Sequence, residues 1–524
     1  MDVRPKKQAS PKGQTPKPQA QPFPLPAPIR GWWLSSNLAT PEPQTALALD
    51  NWVCTTTGIR ARGGKNLYAT LGDPVASLFT YKSGAIEEMF GATETDIYPL
   101  TVIGDPLVTP AADVTLQTSG SYSYTQFGTA GGDFLVLANG ADDVLNYDGS
   151  AWTTPAITGA TSADLSAVWT FASRIFFVEG DTQSAWYLPV DSIAGAATEF
   201  SLSGIFTKGG SLLFGAKWSL DAGDGLDDKC VFVSTEGEVA IYEGTNPGSA
   251  SDWRKVGLYQ MPKPMGKNAF IQAGGDLLIA TDVGLIPISA AIKTDLGAIE
   301  GAAVSRPITP YWQRRSRELA ATRWEVIKSA KANYMVISQP DDVDPTCLVV
   351  NLQTGAWSRF TGWDTQCLTY FSDLGYFGST NGLVYQMEVG GSDEGELYTA
   401  TYLGQFENFG APGQQKTILQ ARPILVQSTI SAPQLTFQVD YDETLPAPPS
   451  SAADSTTSTW DGALWDVGTW DSEDAATVAA EWVAIGRTGY VAAPILQVTY
   501  GVTPTPSLAL VAIDVQFAGG AVVA

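Results

Sequence analysis

Short apolar runs separated by turn residues fill the middle of the chain. The first unit is Leu78-Phe79-Thr80-Tyr81, the turn Lys82-Ser83-Gly84, Glu88-Met89-Phe90-Gly91, then Asp96-Ile97-Tyr98. The pattern returns at Phe134–Leu137 with Val144–Gly149, and at Ile175–Val178 with Trp186–Leu188. It returns again at Val231–Val233 with Val239–Gly244, and at Leu277–Ala280 with Leu285–Ile288. Cys347–Val350 with Trp357–Phe360, and Tyr376–Gly378 with Asn381–Tyr385, complete the series. Runs this short, rich in β-branched and aromatic residues and bounded by Gly, Asn or Asp, predict strands paired as hairpins.

A tyrosine marks the second half of most units, at Tyr98, Tyr147, Tyr187, Tyr242 and Tyr385. The units recur at roughly 40–55 residues, the spacing of propeller blades. A single blade leaves an apolar face that only its neighbours can cover, and closing the ring removes the free ends. The expected fold is all-β, a β-propeller of six or seven blades over residues 75–390. A string of β-sandwiches is the alternative, with less regular spacing.

Three segments break the pattern. Residues 1–30 carry prolines from Pro5 to Pro28 among Lys6, Lys7, Lys12, Lys17 and Arg30. That composition favours extended polyproline backbone and builds no core of its own. We expect an extended N-terminal arm that tethers an assembly, followed by an N-terminal segment over 31–74. Pro310–Leu319 predicts a short helix near 310–320 with proline in its first turn and a cluster of Arg314, Arg315 and Arg317. Beyond Glu388 a polar linker at Gly391–Glu396 leads to long strand-like runs, including Gln434–Tyr441 and Ile495–Val515. Residues 391–524 are therefore expected to form a C-terminal β-sandwich domain.

Composition narrows the chemistry. The chain has 524 residues, 44% of them hydrophobic, and no histidine. Lacking imidazole, it has no Ser-His or Cys-His nucleophile and no histidine metal ligand. Carboxylate pairs and oxygen-ligated cations survive that exclusion. The net charge of −24 repels phosphate, which suits a wall that DNA slides past better than one it binds. Cys54, Cys230, Cys347 and Cys367 form no CxxC pair and read as buried free thiols. The polar N-terminus lacks the apolar core of a secretory signal, no run is long enough to span a bilayer, and no membrane insertion is expected.

Other candidate motifs are weak. Trp460-Asp461, Trp465-Asp466 and Trp470-Asp471 could stack on sugars or anchor a loop. Ser162–Trp169 loosely matches a turn motif of sialidase-type propellers, with Ser166 in place of its glycine. Asp221, Asp224, Asp227 and Asp228 lie in a glycine-rich loop without the glutamate spacing of a calcium-binding EF-hand. No catalytic residue, cofactor or metal site is assigned.

The segment from Gly31 to Leu71 carries the most information. It reads Gly31-Trp32-Trp33, Pro41 to Ala46, Leu49-Asp50-Asn51-Trp52, then Gly58-Ile59-Arg60-Ala61-Arg62-Gly63-Gly64. This resembles the opening of the packaged-DNA stabilisation or tail-hub (nozzle) proteins of short-tailed bacteriophages. Ile308–Trp312 resembles their middle, and Leu464-Trp465-Asp466 through Gly489-Tyr490 to Ala493-Pro494 resembles their end. The arm before Gly31 departs from that pattern. The resemblance implies a virion structural protein of the tail, not an enzyme, made in the host cytoplasm. It implies a ring, commonly a hexamer, below the portal and adaptor proteins, with attachment points for tail fibres or spikes. Such a ring retains packaged double-stranded DNA and forms part of the ejection channel, without sequence-specific binding. On this basis the expected assembly contacts are Lys6, Lys7, Lys12, Lys17, Trp32, Trp33, Trp52, Arg60, Arg62, Arg314, Arg315 and Arg317. The alternative is a glycan-binding or glycan-cleaving propeller in host receptor recognition.

Overall fold

The computed structural model describes residues 20–34, 37–219, 228–320, 323–329, 333–341, 343–427, 433–450, 477–501 and 507–520. Seven antiparallel sheets follow one another along the chain as blades. Blade 1 holds Ser77–Ser83, Ile86–Ala92 and Ile97–Pro99, and blade 2 opens on Ser123–Thr129. Blades 3 and 4 open on Leu165–Phe171 and Leu212–Trp218. Blades 5, 6 and 7 open on Phe270–Ala273, Val326–Ser329 and Cys367–Phe371. Each opening strand lies innermost, and the blade then builds outward.

Period-two alternation explains the ring. In blade 6, Met335, Ile337, Leu348 and Val350 join the core shared with blade 5. The intervening Tyr334, Val336, Cys347 and Val349 join the core shared with blade 7. Successive side chains on a strand point to opposite faces, so one strand feeds two neighbouring cores. Seven such cores exist, one per blade junction. The seventh unites Leu78 and Met89 of blade 1 with Phe371 and Tyr376 of blade 7, which closes the circle. Side chains such as Phe176 and Phe177 are fully buried, each contributing about 1.5–3 kcal/mol.

The expected propeller is thus present with seven blades, one for each unit of the sequence pattern. The periodic tyrosines all sit on the third strand of their blades. Blade 7 takes its fourth strand from far upstream. Lys65–Thr70 pairs antiparallel with Leu383–Met387, so the two ends of the propeller share one sheet. Blade 5 has three strands, followed by the short helix Ile288–Lys293.

The sandwich is also present, but both chain ends build it. One sheet continues outward from blade 6. Trp357–Thr361 meets Ala46–Asp50, and Tyr398–Gly404, Ala492–Tyr500 and Gln434–Val439 follow. The other sheet pairs Lys416–Gln427 with Leu508–Gly519, flanked by Trp52–Cys54 and Ile59–Ala61. The segment 31–74 is therefore no unit of its own. Its first part completes the sandwich and its last part closes the propeller. The sandwich core merges with that between blades 5 and 6, so the two domains share one hydrophobic interior.

The helix Thr309–Glu318 matches the predicted one and acts as a strut at this junction. Trp312 is fully buried, edge-on to Trp324 and Trp357, and donates its indole N–H to Thr281 O at 2.7 Å.

The arm is folded in part onto the chain itself. Gln21–Pro26 adds to Leu508–Gly519 as an antiparallel edge strand, with Leu25 buried. Ala27 N–H donates to Val511 O, so in this register Phe23 and Leu25 face inward and Pro22, Pro24 and Pro26 turn their nitrogens outward. An edge without outward N–H groups offers only carbonyl acceptors, so another strand cannot complete a ladder along it.

Candidate functional site

Two polar arrangements stand out, one at the sandwich–propeller junction and one on the propeller axis. The junction gathers Gly31–Trp32, Leu49–Trp52, Ile308–Trp312 and Trp357–Thr361, which are distant in sequence. Gly31 adopts φ +79 and packs so closely that a Cβ would meet Trp357 O at 2.5 Å. Trp32 is buried, stacks edge-on against Tyr311 at 4.8 Å and donates Nε1 to Leu47 O. Arg359 lies over both rings and forks onto Asp50 at 2.8 and 2.9 Å. Asn51, at φ 62, ties Thr361 and Thr399 through its side chain.

Arg62 is the centre of a second clasp. It is fully buried, forks onto Asp393 at 2.9 and 2.7 Å, and sits 4.0 Å from Tyr398 and 4.5 Å from Trp363. Trp363 Nε1 donates to the same carboxylate at 3.2 Å. The polar linker Gly391–Glu396 is thereby pinned by Asp393. Gly64 lets it pass, since a Cβ there would meet Ser392 O at 1.9 Å.

Of the eight expected assembly contacts among the described residues, five are spent inside the chain. Trp32, Trp52, Arg62 and Arg315 are buried, out of a neighbour's reach. Arg315 binds Asp341 at 2.8 Å. Arg60 pairs with Glu388 at 2.8 Å. Trp33 is half-buried with Arg30 over its ring. Arg314 and Arg317 are exposed, Arg314 within 3.8 Å of Glu318. Lys6, Lys7, Lys12 and Lys17 lie outside the described residues, as do Asp221, Asp224, Asp227 and the Trp-Asp repeats at 460–471. Asp228 pairs with Lys217 at 2.9 Å. The Ser162–Asp164 motif forms a short turn leading into blade 3, where Ser162 Oγ accepts from Val144 N–H.

The axial cluster escaped the sequence pattern. It sits where the innermost strands begin. Lys267, just ahead of blade 5, donates to Ser121 O and Ser166 O, each at 2.7 Å, at the starts of blades 2 and 3. Asn268 donates to Tyr122 O at 3.2 Å and to Glu325 at 3.0 Å. Glu325, ahead of blade 6, accepts Leu368 N–H of blade 7 at 2.8 Å. Enclosure pushes the Glu325 carboxyl up to about 7, against the opposing pull of its hydrogen bonds and of Arg323 and Lys267. Enclosure and Arg323 bring the Lys267 ammonium down to about 7. The available signal is positional: a charged residue within three positions of the start of an inner strand lies near the axis.

Beside this cluster is a cavity of about 460 Å³, lined by Val75, Glu94, Leu319, Arg323, Asp341 and Gln366 among others. Asp341 is already committed to Arg315. Among the described residues no group of three His, Cys, Asp or Glu side chains could hold a metal ion. No helix among them is long and apolar enough to cross a membrane.

No family model matches the chain, and no curated protein matches it. Among solved structures, the WD40 β-propeller domain of Doa1 is 9% identical, with 62% of this chain and 97% of that chain covered and a TM-score of 0.39. BamB from Moraxella catarrhalis is 11% identical, with 64% of this chain and 95% of that chain covered and a TM-score of 0.35. The computationally designed Ika8 protein is 10% identical, with 62% and 100% covered and a TM-score of 0.36. The propeller assignment stands on the seven sheets and their shared cores.

Proposed function

We propose that this chain is a structural subunit of a short-tailed phage tail, a ring-forming hub or nozzle below the portal and adaptor. In this reading it retains packaged DNA and lines part of the ejection route. One observation carries it. Of the segments that resemble the tail-hub family, the first part of Gly31–Leu71, Ile308–Trp312 and the described end of the stretch from Leu464 to Pro494 meet in one sandwich-and-strut body, with Trp32 against Tyr311 at 4.8 Å, while Lys65–Thr70 goes to blade 7. Motifs that spend their tryptophans and arginines on architecture suit a virion building block better than a substrate site.

The charge fits the same role. A chain at −24 presents phosphate with a repulsive wall, which lets a duplex pass without sticking. The assembly is expected to be a closed ring of identical copies, since one repeated head-to-tail contact closes by rotation.

The test is the mass of the purified protein, alone and mixed with portal and adaptor proteins, followed by imaging of the complex. A ring that caps the portal–adaptor complex supports the reading. A chain that stays monomeric in both conditions overturns it. Turnover in a glycan-hydrolysis screen would favour the receptor-recognition alternative instead.

A further inference from the structure

We propose that the Lys267 ammonium is the resident cation of a carbonyl site on the propeller axis, and that it clasps opposite sides of the ring. In a seven-blade circle, blade 2 stands three blades from blade 5, across the axis, and blade 3 stands two blades away. The Lys267 side chain spans that gap and ends on Ser121 O and Ser166 O, both at 2.7 Å. Those carbonyls belong to segments more than a hundred residues away in sequence, so no local hydrogen bonding would bring them together. Backbone carbonyls converging on one point are cation ligands, and here the chain supplies the cation.

The rest of the cluster extends the clasp. Asn268 carries it to blade 2 through Tyr122 O and to blade 6 through Glu325, and Glu325 carries it to blade 7 through Leu368 N–H. Five of the seven blades thus meet in one network at one end of the axis. This end of the propeller is stoppered by side chains, so nothing the size of a polymer threads it. The ring has two fastenings of different kinds, the strand exchange at Lys65–Thr70 and this polar clasp.

The inference holds whatever assembly the chain joins. The test is Lys267→Ala in the full chain, read by amide hydrogen exchange at pH 6, where Lys267 still holds its proton. Lys267→Met, which keeps the length of the side chain, covers the case where the alanine variant folds poorly. Exchange in Ser123–Thr129 and Leu165–Phe171 is expected to accelerate about ten- to a hundredfold, the size of a lost charged hydrogen bond. Methylammonium should restore protection to Lys267→Ala, whereas sodium and tetramethylammonium chloride at equal ionic strength should not. Acceleration confined to residues 261–281, equal rescue by sodium, or no rescue by methylammonium would each overturn the proposal.

Discussion

Arg62 and Asp393 stand 331 residues apart and meet as a bidentate ion pair at 2.9 and 2.7 Å. The pair holds the segment that leads into Lys65–Thr70 against the linker that leads out of the propeller. Its surroundings are aromatic, with Tyr398 and Trp363 over the guanidinium. Breaking one partner leaves the other buried and unpaired. Arg62→Ala is therefore expected to cost about 3–5 kcal/mol, read as a shift in urea midpoint. Arg62→Lys should recover only part of that loss, because an ammonium cannot fork or stack. A midpoint unchanged in Arg62→Ala would remove this pair from the account of the fold.

The axial cluster predicts an unusual stability profile. Glu325 is raised from 4.5 to about 7, so the folded state keeps a proton that the unfolded chain releases in that window. Stability contributed there falls as pH rises from about 4.5 to 7. Lys267 is lowered from 10.5 to about 7, so above 7 the unfolded chain holds the extra proton and stability rises with pH. The facing titratable and charged groups are Arg323, Tyr124 of blade 2 and Cys367 of blade 7. Denaturation across pH should show a dip near neutrality of about 1–3 kcal/mol relative to either side. Glu325→Gln should flatten the acidic limb and Lys267→Met the alkaline one. A wild-type profile matched by both variants would refute this.

The two halves of the arm should behave differently on truncation. Removing residues 1–19 is expected to leave the melting temperature within about 1–2 °C of the full chain, since that composition builds no core. Removing residues 1–30 also strips Gln21–Pro26 from its edge and exposes the last strand of the sandwich. That deletion should lower the melting temperature by several degrees and promote association, seen by differential scanning calorimetry and light scattering. Equal melting of the two truncations would show that the edge strand contributes nothing.

The thiols should be silent in the native protein. All four cysteines are buried. Burial pushes Cys54 and Cys347 up to about 12, and moves Cys230 and Cys367 upward as well. A thiol without thiolate character does not attack disulfide reagents. Ellman's reagent at pH 8 should find no reactive cysteine before unfolding and four after it. A rapid native reaction would show that a blade or the sandwich opens.

The blades follow from local pattern. Their strands are short, their turns carry glycine and aspartate, and their side chains alternate with period two. These are properties of neighbouring residues, and backbone sterics plus burial turn them into hairpins wherever they occur. Seven units were legible and seven blades stand. The strut helix was legible for the same reason, from Pro310 and the polar-apolar pattern after it.

How the ends are used depends on packing across the whole fold. Lys65–Thr70 looks like any strand, yet it closes blade 7, because pairing across more than three hundred residues depends on which edge is left vacant. Arg62 and Arg315 are expected from sequence as assembly contacts, but the packed core places Asp393 and Asp341 beside them. Lys267 had no pattern at all. Its partners are backbone carbonyls, which every residue carries, so no sequence marks them until the ring brings them together.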